Sequence, residues 1–201
     1  MNTDHGRRFA VITGGSSGIG YEFAKVCAAE GFEVLIVAEQ GLEEAAEWLR
    51  DDGAAVTALQ ADLSTFDGNE GVAAAIQQSG RPIDVLALNA GRVVGGPFLE
   101  SELERDLALI QLNIGSVVHL AKRLLPAMVS RGEGRVLITS SIAATMPGPY
   151  YSTYAASKSF LLSFAEAIRY ELKDTGVSVT ACCPGRPTPK SSTGRACTTR
   201  G

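Results

Sequence analysis

The chain has 201 residues, 45% of them hydrophobic and 20% charged, with a formal net charge of −4. This length suits one domain around one sizeable core, and the negative balance excludes nucleic acid and anionic membrane as main partners. No apolar run is long enough to span a bilayer, and Met1 to Arg8 is polar with no signal-peptide pattern, so the expected setting is cytoplasmic.

Residues 1–6 read as a flexible start, and a strand follows over 9–13 (Phe9-Ala10-Val11-Ile12-Thr13). Further strands are expected over 33–37, 55–59, 84–88, 135–139 and 177–181. Helical patterns separate them over about 18–30, 42–51, 69–79, 102–131 and 154–173. Nearly all-apolar strands alternating with helices predict an α/β fold with a parallel sheet covered on both faces. Right-handed crossovers make it a doubly wound, Rossmann-type sheet, one domain over 7–185 with six strands. Residues 186–201 have no periodicity and almost no apolar side chains, and read as a disordered end.

Four cysteines, Cys27, Cys182, Cys183 and Cys197, lack metal-ligand spacing. They read as reduced and mostly buried, with no metal site. The only histidines are His5, in a polar tail, and His119, inside a helix, which argues against a histidine mechanism.

Tyr154 and Lys158 stand four residues apart at the start of a helical pattern, so both side chains share one face. An ordinary tyrosine titrates at about 10 and is a poor acid or base at neutral pH. A neighbouring ammonium favours the phenolate and moves such a group toward working range.

The first strand ends in Thr13-Gly14-Gly15-Ser16-Ser17-Gly18-Ile19-Gly20, where a helix begins. Glycines there permit a tight turn and let backbone N–H groups and a helix N-terminus face a pyrophosphate. The second strand ends at Ala38-Glu39-Gln40. An acidic side chain at that point accepts from a ribose 2′-hydroxyl and repels a 2′-phosphate, which favours NAD over NADP.

These residues resemble the classical short-chain dehydrogenases/reductases from about Arg7 to Gly185. Thr13-Gly14 with Gly18 and Gly20 is similar to that family's cofactor loop, and Asp62-Leu63 to its adenine-contacting pair. Asn89-Ala90-Gly91 resembles its Asn-Asn-Ala-Gly motif, with Leu88 in place of the first Asn. Asn113 matches its helix asparagine, and Ser141, thirteen residues before Tyr154, its serine, in preference to Ser140. Tyr154 and Lys158 match its Tyr-x-x-x-Lys pair, and Pro184-Gly185 the turn after its sixth strand.

The resemblance implies a site for an alcohol or carbonyl substrate. Tyr154 exchanges a proton with the substrate oxygen, and Ser141 hydrogen-bonds that oxygen. Lys158 favours the phenolate and binds the nicotinamide ribose, and Asn113 holds a water that links Lys158 to solvent. Tyr150 and Tyr151 are expected on the substrate side. It also implies a homodimer or homotetramer built on the helices near 102–131 and 154–173.

The sequence departs from the family after Gly185. The family continues with a substrate lid, a further helix and a seventh strand, and it carries a Thr where Pro189 stands here, with Thr188 one position early. A one-base change of reading frame near codon 186 accounts for both. The alternative function is therefore a truncated, cofactor-binding and catalytically impaired relative.

Overall fold

The computed structural model describes residues 7–185. The expected tails, 1–6 and 186–201, and with them Cys197 and the frame change, lie outside the described residues.

Six strands form one sheet in the order β3-β2-β1-β4-β5-β6, every pair parallel. They are β1 (Phe9–Thr13), β2 (Glu33–Ala38), β3 (Val56–Gln60), β4 (Val85–Leu88), β5 (Gly134–Thr139) and β6 (Val177–Cys182). The helices are α1 (Gly18–Ala29), α2 (Leu42–Asp51), α3 (Phe66–Gln78), α4 (Leu103–Ile110), α5 (Ser116–Arg131) and α6 (Ser152–Glu171).

The period-2 alternation of each strand divides its apolar residues between two layers. Val11, Leu35, Leu86, Val136 and Ile138 pack on Val72 and Ile76 of α3, Leu120 and Leu124 of α5 and Leu161 of α6. Ile12, Val34, Ile36 and Ala87 pack on Ala24 of α1 and Leu42, Ala45 and Leu49 of α2. Central strands covered on both faces admit almost no polar side chains, and in the wholly buried β1 and β4 the one exception is Thr13, whose hydroxyl is hydrogen-bonded. In β6 only one face is covered: Val177 and Val179 are buried while Ser178 and Thr180 are exposed.

Three expectations need correction. The helix expected from residue 69 begins at Phe66, because the Thr65 hydroxyl accepts the Gly68 N–H and caps it three residues earlier. The helix expected over 102–131 is interrupted by a π-helical turn, Gln111–Gly115, between α4 and α5, with the fully buried Asn113 at its centre. Such turns insert one residue into the helical ladder and redirect a side chain. The cysteines also differ from expectation, since among the described ones Cys27 is buried, Cys182 half-buried and Cys183 exposed. Burial pushes the Cys27 thiol up to about 11.

The chain reverses its winding direction between β1 and β4, so the loops after these strands splay apart at their carboxyl ends. Ligands bind open parallel sheets in that crevice.

Candidate active site

A cleft of about 810 Å³ opens at this switch point. One wall is the turn from β1 into α1, with Gly14, Ser16, Ser17, Gly18 and Ile19. Gly14 N–H donates to the Val37 carbonyl at 2.7 Å and holds this turn to the end of β2. Ser17 precedes α1 in extended conformation and its side chain caps nothing, and no side chain among the described residues accepts from the first-turn amides of α1. Uncapped amides at a helix start form an anion site. Gly20 stands behind them: a Cβ there would lie 2.1 Å from the Gly14 carbonyl oxygen and 2.5 Å from Asn89 Nδ2. Gly20→Ala must therefore displace the turn. The expected loss is about 1–3 kcal/mol of stability, read as a lower Tm, together with loss of dinucleotide binding in titration. An unchanged Tm would contradict the contact.

The carboxyl ends of β1, β4 and β5 are tied by one polar web. Thr13 Oγ1 donates to the Ala87 carbonyl at 3.3 Å and accepts the N–H groups of Asn89 at 2.9 Å and Ala90 at 3.0 Å. Asn89 Nδ2 donates to the Thr13 carbonyl at 3.1 Å, and its Oδ1 accepts from Thr139 Oγ1 at 3.0 Å. These short polar residues end apolar strands, so they lie where backbone groups leave the sheet and need partners. Thr13 and Gly20 serve the cleft from behind, while Asn89, Ala90 and Gly91 line it.

At the far end of the cleft lie Ala38, Glu39, Asp62 and Leu63. Glu39 is exposed, and its backbone carbonyl accepts from Gln60 Nε2 at 3.0 Å. Asp62 Oδ1 accepts from the Ser64 hydroxyl at 2.6 Å and the Ser64 N–H at 2.8 Å, which holds the carboxyl below its ordinary range.

Tyr154 and Lys158 come from the first turns of α6. Tyr154 is half-buried and lines the cleft. Lys158 is only 5% exposed, and burial pushes its amine down from 10.5 to about 8. Its Nζ donates to the Thr139 carbonyl at 2.8 Å and lies 5.9 Å from the centre of the Tyr154 ring. Asn113 approaches from the π turn: a Cβ on Gly91 would lie 3.1 Å from its Oδ1 and 3.5 Å from Lys158 Nζ. Asn113 Oδ1 accepts the Arg92 N–H at 2.8 Å. Its Nδ2 donates to the Arg92 carbonyl at 3.0 Å and to Ser157 Oγ at 3.1 Å. Both amide N–H bonds are thus spent on protein partners, which leaves only carbonyl acceptors for a water.

The two serines after β5 divide their work. Ser140 Oγ donates to the Lys158 carbonyl at 2.7 Å and fastens α6 to the sheet. Ser141 caps the short 3-10 turn Ile142–Thr145 by accepting the Ala143 N–H at 3.1 Å. The Ser141 O–H has no acceptor among the described residues and remains available as a donor. Ser141 does not line the large cleft, whereas Ser140 does. Pro184 lines it, Gly185 does not, and the Pro184 carbonyl accepts the Ile142 N–H at 3.1 Å.

Arg92, Val93, Leu112 and Thr139 also line the cleft and escape the motif reading. Arg92 and Val93 simply continue the chain past Asn89-Ala90-Gly91, and Thr139 ends β5 as Thr13 ends β1. Strand-end position was the signal that could have found Arg92, Val93 and Thr139, while Leu112 comes from the π turn and carried no such signal.

A nucleotide-sized crevice with uncapped helix amides, beside a tyrosine and a buried lysine, thus lies at the switch point of a Rossmann-type fold. The family model for short chain dehydrogenase matches residues 8–193, and the chain belongs to that family. It is 34% identical over 180 residues to a putative ketoacyl reductase of Streptomyces coelicolor, a match covering 88% of this chain and 69% of that protein. It is 38% identical over 185 residues to 1-deoxy-11-beta-hydroxypentalenate dehydrogenase of Streptomyces exfoliatus, covering 89% of this chain and 67% of that protein. Another relative, the short chain dehydrogenase MYCFIDRAFT_6125 of Pseudocercospora fijiensis, is 32% identical, and the chain spans only 58% of its length.

Among solved structures, an actinorhodin polyketide ketoreductase variant with NADPH superposes with a TM-score of 0.84 at 33% identity, covering 89% of this chain and 70% of that one. A short chain dehydrogenase/reductase from Burkholderia phymatum in complex with NAD gives a TM-score of 0.84 at 27% identity, covering 90% and 66%. Both nicotinamide dinucleotides therefore occur among the structural relatives.

Proposed function

We propose that this chain carries the site of an NAD-dependent oxidoreductase that interconverts an alcohol and a carbonyl compound. The observation that carries this reading is the convergence of Tyr154, buried Lys158 and the uncapped amides of α1 on one crevice. The crevice fits a dinucleotide. The amides of Ser16 to Gly20 face its pyrophosphate, Asp62 and Leu63 its adenine, and Asn89 to Gly91 with Pro184 and Gly185 the nicotinamide end. Bound nicotinamide supplies or accepts the hydride.

The protein's own part is to position groups and move a proton. Tyr154 holds the proton at its phenolic oxygen and exchanges it with the substrate oxygen. Lys158, charged below about pH 8, stands beside Tyr154 and binds the nicotinamide ribose. The available Ser141 O–H donates to the substrate oxygen. Asn113 fixes the Arg92 backbone and, through Ser157, the start of α6, and a water on its carbonyl side links Lys158 to solvent.

The exposed Ile142, Met146, Tyr150 and Tyr151 support a small to medium, fairly apolar substrate. An apolar groove between α5 and α6, lined by Leu125, Val129, Phe164 and Ile168, supports pairing of copies into a dimer or tetramer. The free thiols of Cys27, Cys182 and Cys183 support a reducing, cytoplasmic setting.

Titration with NAD and NADH, followed by turnover on panels of alcohols and ketones, tests the reading. Turnover supports it, binding without turnover supports the impaired alternative, and no binding contradicts both.

The preference for NAD rests on Glu39, exposed on the rim of the cleft, with Glu43 and Glu44 beside it in the first turn of α2. A 2′-phosphate there meets carboxylates and, among the described residues lining that rim, no cation, a repulsion of about 1 kcal/mol per contact in a solvated rim. Glu39→Arg is expected to raise the NADP-to-NAD affinity ratio by about tenfold or more. An unchanged ratio would contradict the assignment.

A further inference from the structure

The Asp62–Leu63 corner is held from below by the first turn of α3, and three contacts build that support. Thr65 Oγ1 donates to the Asp62 carbonyl at 2.8 Å and accepts the Gly68 N–H at 3.0 Å. Gly68 presses its α-carbon against the same peptide: a Cβ there would lie 2.0 Å from the Asp62 carbonyl oxygen. Asn69, only 3% exposed, donates through Nδ2 to the Leu63 carbonyl at 2.9 Å and to the Thr65 carbonyl at 2.6 Å.

Asn69 also carries an anomaly. Its Oδ1 is buried with no hydrogen-bond partner, alone in this among the side-chain N and O atoms of the described residues. Turning the amide over would set this oxygen against two carbonyl oxygens, so the orientation is fixed. A leucine would fill the same space without burying an unpaired acceptor. The amide is explained by its two N–H bonds, both spent on the backbone that follows Asp62.

We infer that Gly68 and Asn69 are positioning residues for the adenine end of the cleft, setting where the Asp62 carboxylate and the Leu63 backbone meet the base. The inference rests on the dinucleotide reading above. It assigns a task to an α3 turn whose own side chains do not line the cleft. Asp62 Oδ1 is already taken by Ser64, so one carboxylate oxygen remains for a donor of the ligand. A rotation of the corner moves that oxygen directly. Gly68 permits the close approach and Asn69 stops the rotation.

ADP-ribose is the probe, because it contains the adenine end and no nicotinamide. Calorimetry on the full chain is expected to show Asn69→Leu binding about tenfold more weakly than the parent. Gly68→Ala keeps every hydrogen-bonding group and should lose a similar factor. Asn69→Asp separates positioning from general loosening. Its carboxyl faces two carbonyl oxygens and can donate only when protonated. The ratio of its affinity to that of the parent should be lowest near about pH 8 and recover toward about pH 5.5. Asp62, held ionised by Ser64, together with Asp67, Glu70 and Arg92, is common to both proteins and cancels in the ratio. A folded Asn69→Leu or Gly68→Ala chain with parental affinity would overturn the inference, as would a flat Asn69→Asp ratio. A parent chain that fails to bind ADP-ribose would overturn the dinucleotide reading and this inference with it.

Discussion

Tyr154→Phe is expected to lower turnover by about 10²–10⁴-fold, the range that one positioned proton donor supplies. Cofactor affinity should stay within about threefold of the parent, a change worth less than 1 kcal/mol. The structure explains why the two effects separate. The Tyr154 hydroxyl makes no hydrogen bond among the described residues, and the ring is half-buried against the cleft. Removing one oxygen therefore leaves no buried partner unpaired and no cavity in the core. The backbone of α6 stays fastened by Ser140, which donates to the Lys158 carbonyl, and by Asn113, which donates to Ser157 Oγ. Thermal unfolding should be unchanged within about 2 °C. Retained turnover in Tyr154→Phe would refute Tyr154 as the proton-transfer group. Tyr150 and Tyr151, which have no lysine four residues on, would then be the next candidates.

Lys158→Met is expected to abolish turnover and yet stabilise the ligand-free chain. The unfolded chain holds this proton up to about 10.5, and the folded chain only to about 8. Since the unfolded state binds more protons between those values, stability rises with pH across that window. Below about pH 8 the buried ammonium costs its full desolvation penalty, about 3 kcal/mol for a shift of this size. Methionine fills similar volume without charge. It leaves the Thr139 carbonyl without its donor, which returns about 1 kcal/mol. The net expectation at pH 7 is about 2 kcal/mol of added stability, or about 4–8 °C in Tm for a chain of this size. The difference should shrink as pH rises from about 8 to about 10.5. A variant less stable than the parent at neutral pH would contradict the account of a lysine kept for chemistry at the expense of stability.

Most of the sheet was legible because central parallel strands admit almost no polar residue. The runs Phe9–Thr13 and Val85–Leu88 leave little choice of element. The order of motifs along the chain then placed Thr13, Asn89, Ser141, Tyr154 and Lys158 near strand ends or helix starts on one edge. Less visible were features set by tertiary contact. The π turn at Asn113 follows from an amide clasp onto Arg92, a partner 21 residues away, and no local pattern encodes it. The early start of α3 depended on Thr65 acting as a cap, which the apolar periodicity of Val72 and Ile76 does not reveal. The different tasks of Ser140 and Ser141 also needed coordinates, since adjacent serines look alike in sequence while one bonds the Lys158 carbonyl and the other caps a turn.

If Tyr154 and Lys158 serve hydride exchange between a nicotinamide and a carbonyl carbon, the hydride itself can be traced. The most direct measurement incubates the chain with NADH deuterated at nicotinamide C4 and a panel of apolar ketones, and locates the label in the alcohol products. Deuterium is expected on the carbinol carbon with the parent chain, and at least about 100-fold less of it with Tyr154→Phe. Tight NADH binding with no labelled alcohol from any ketone would contradict the exchange and leave a cofactor-binding protein without this chemistry.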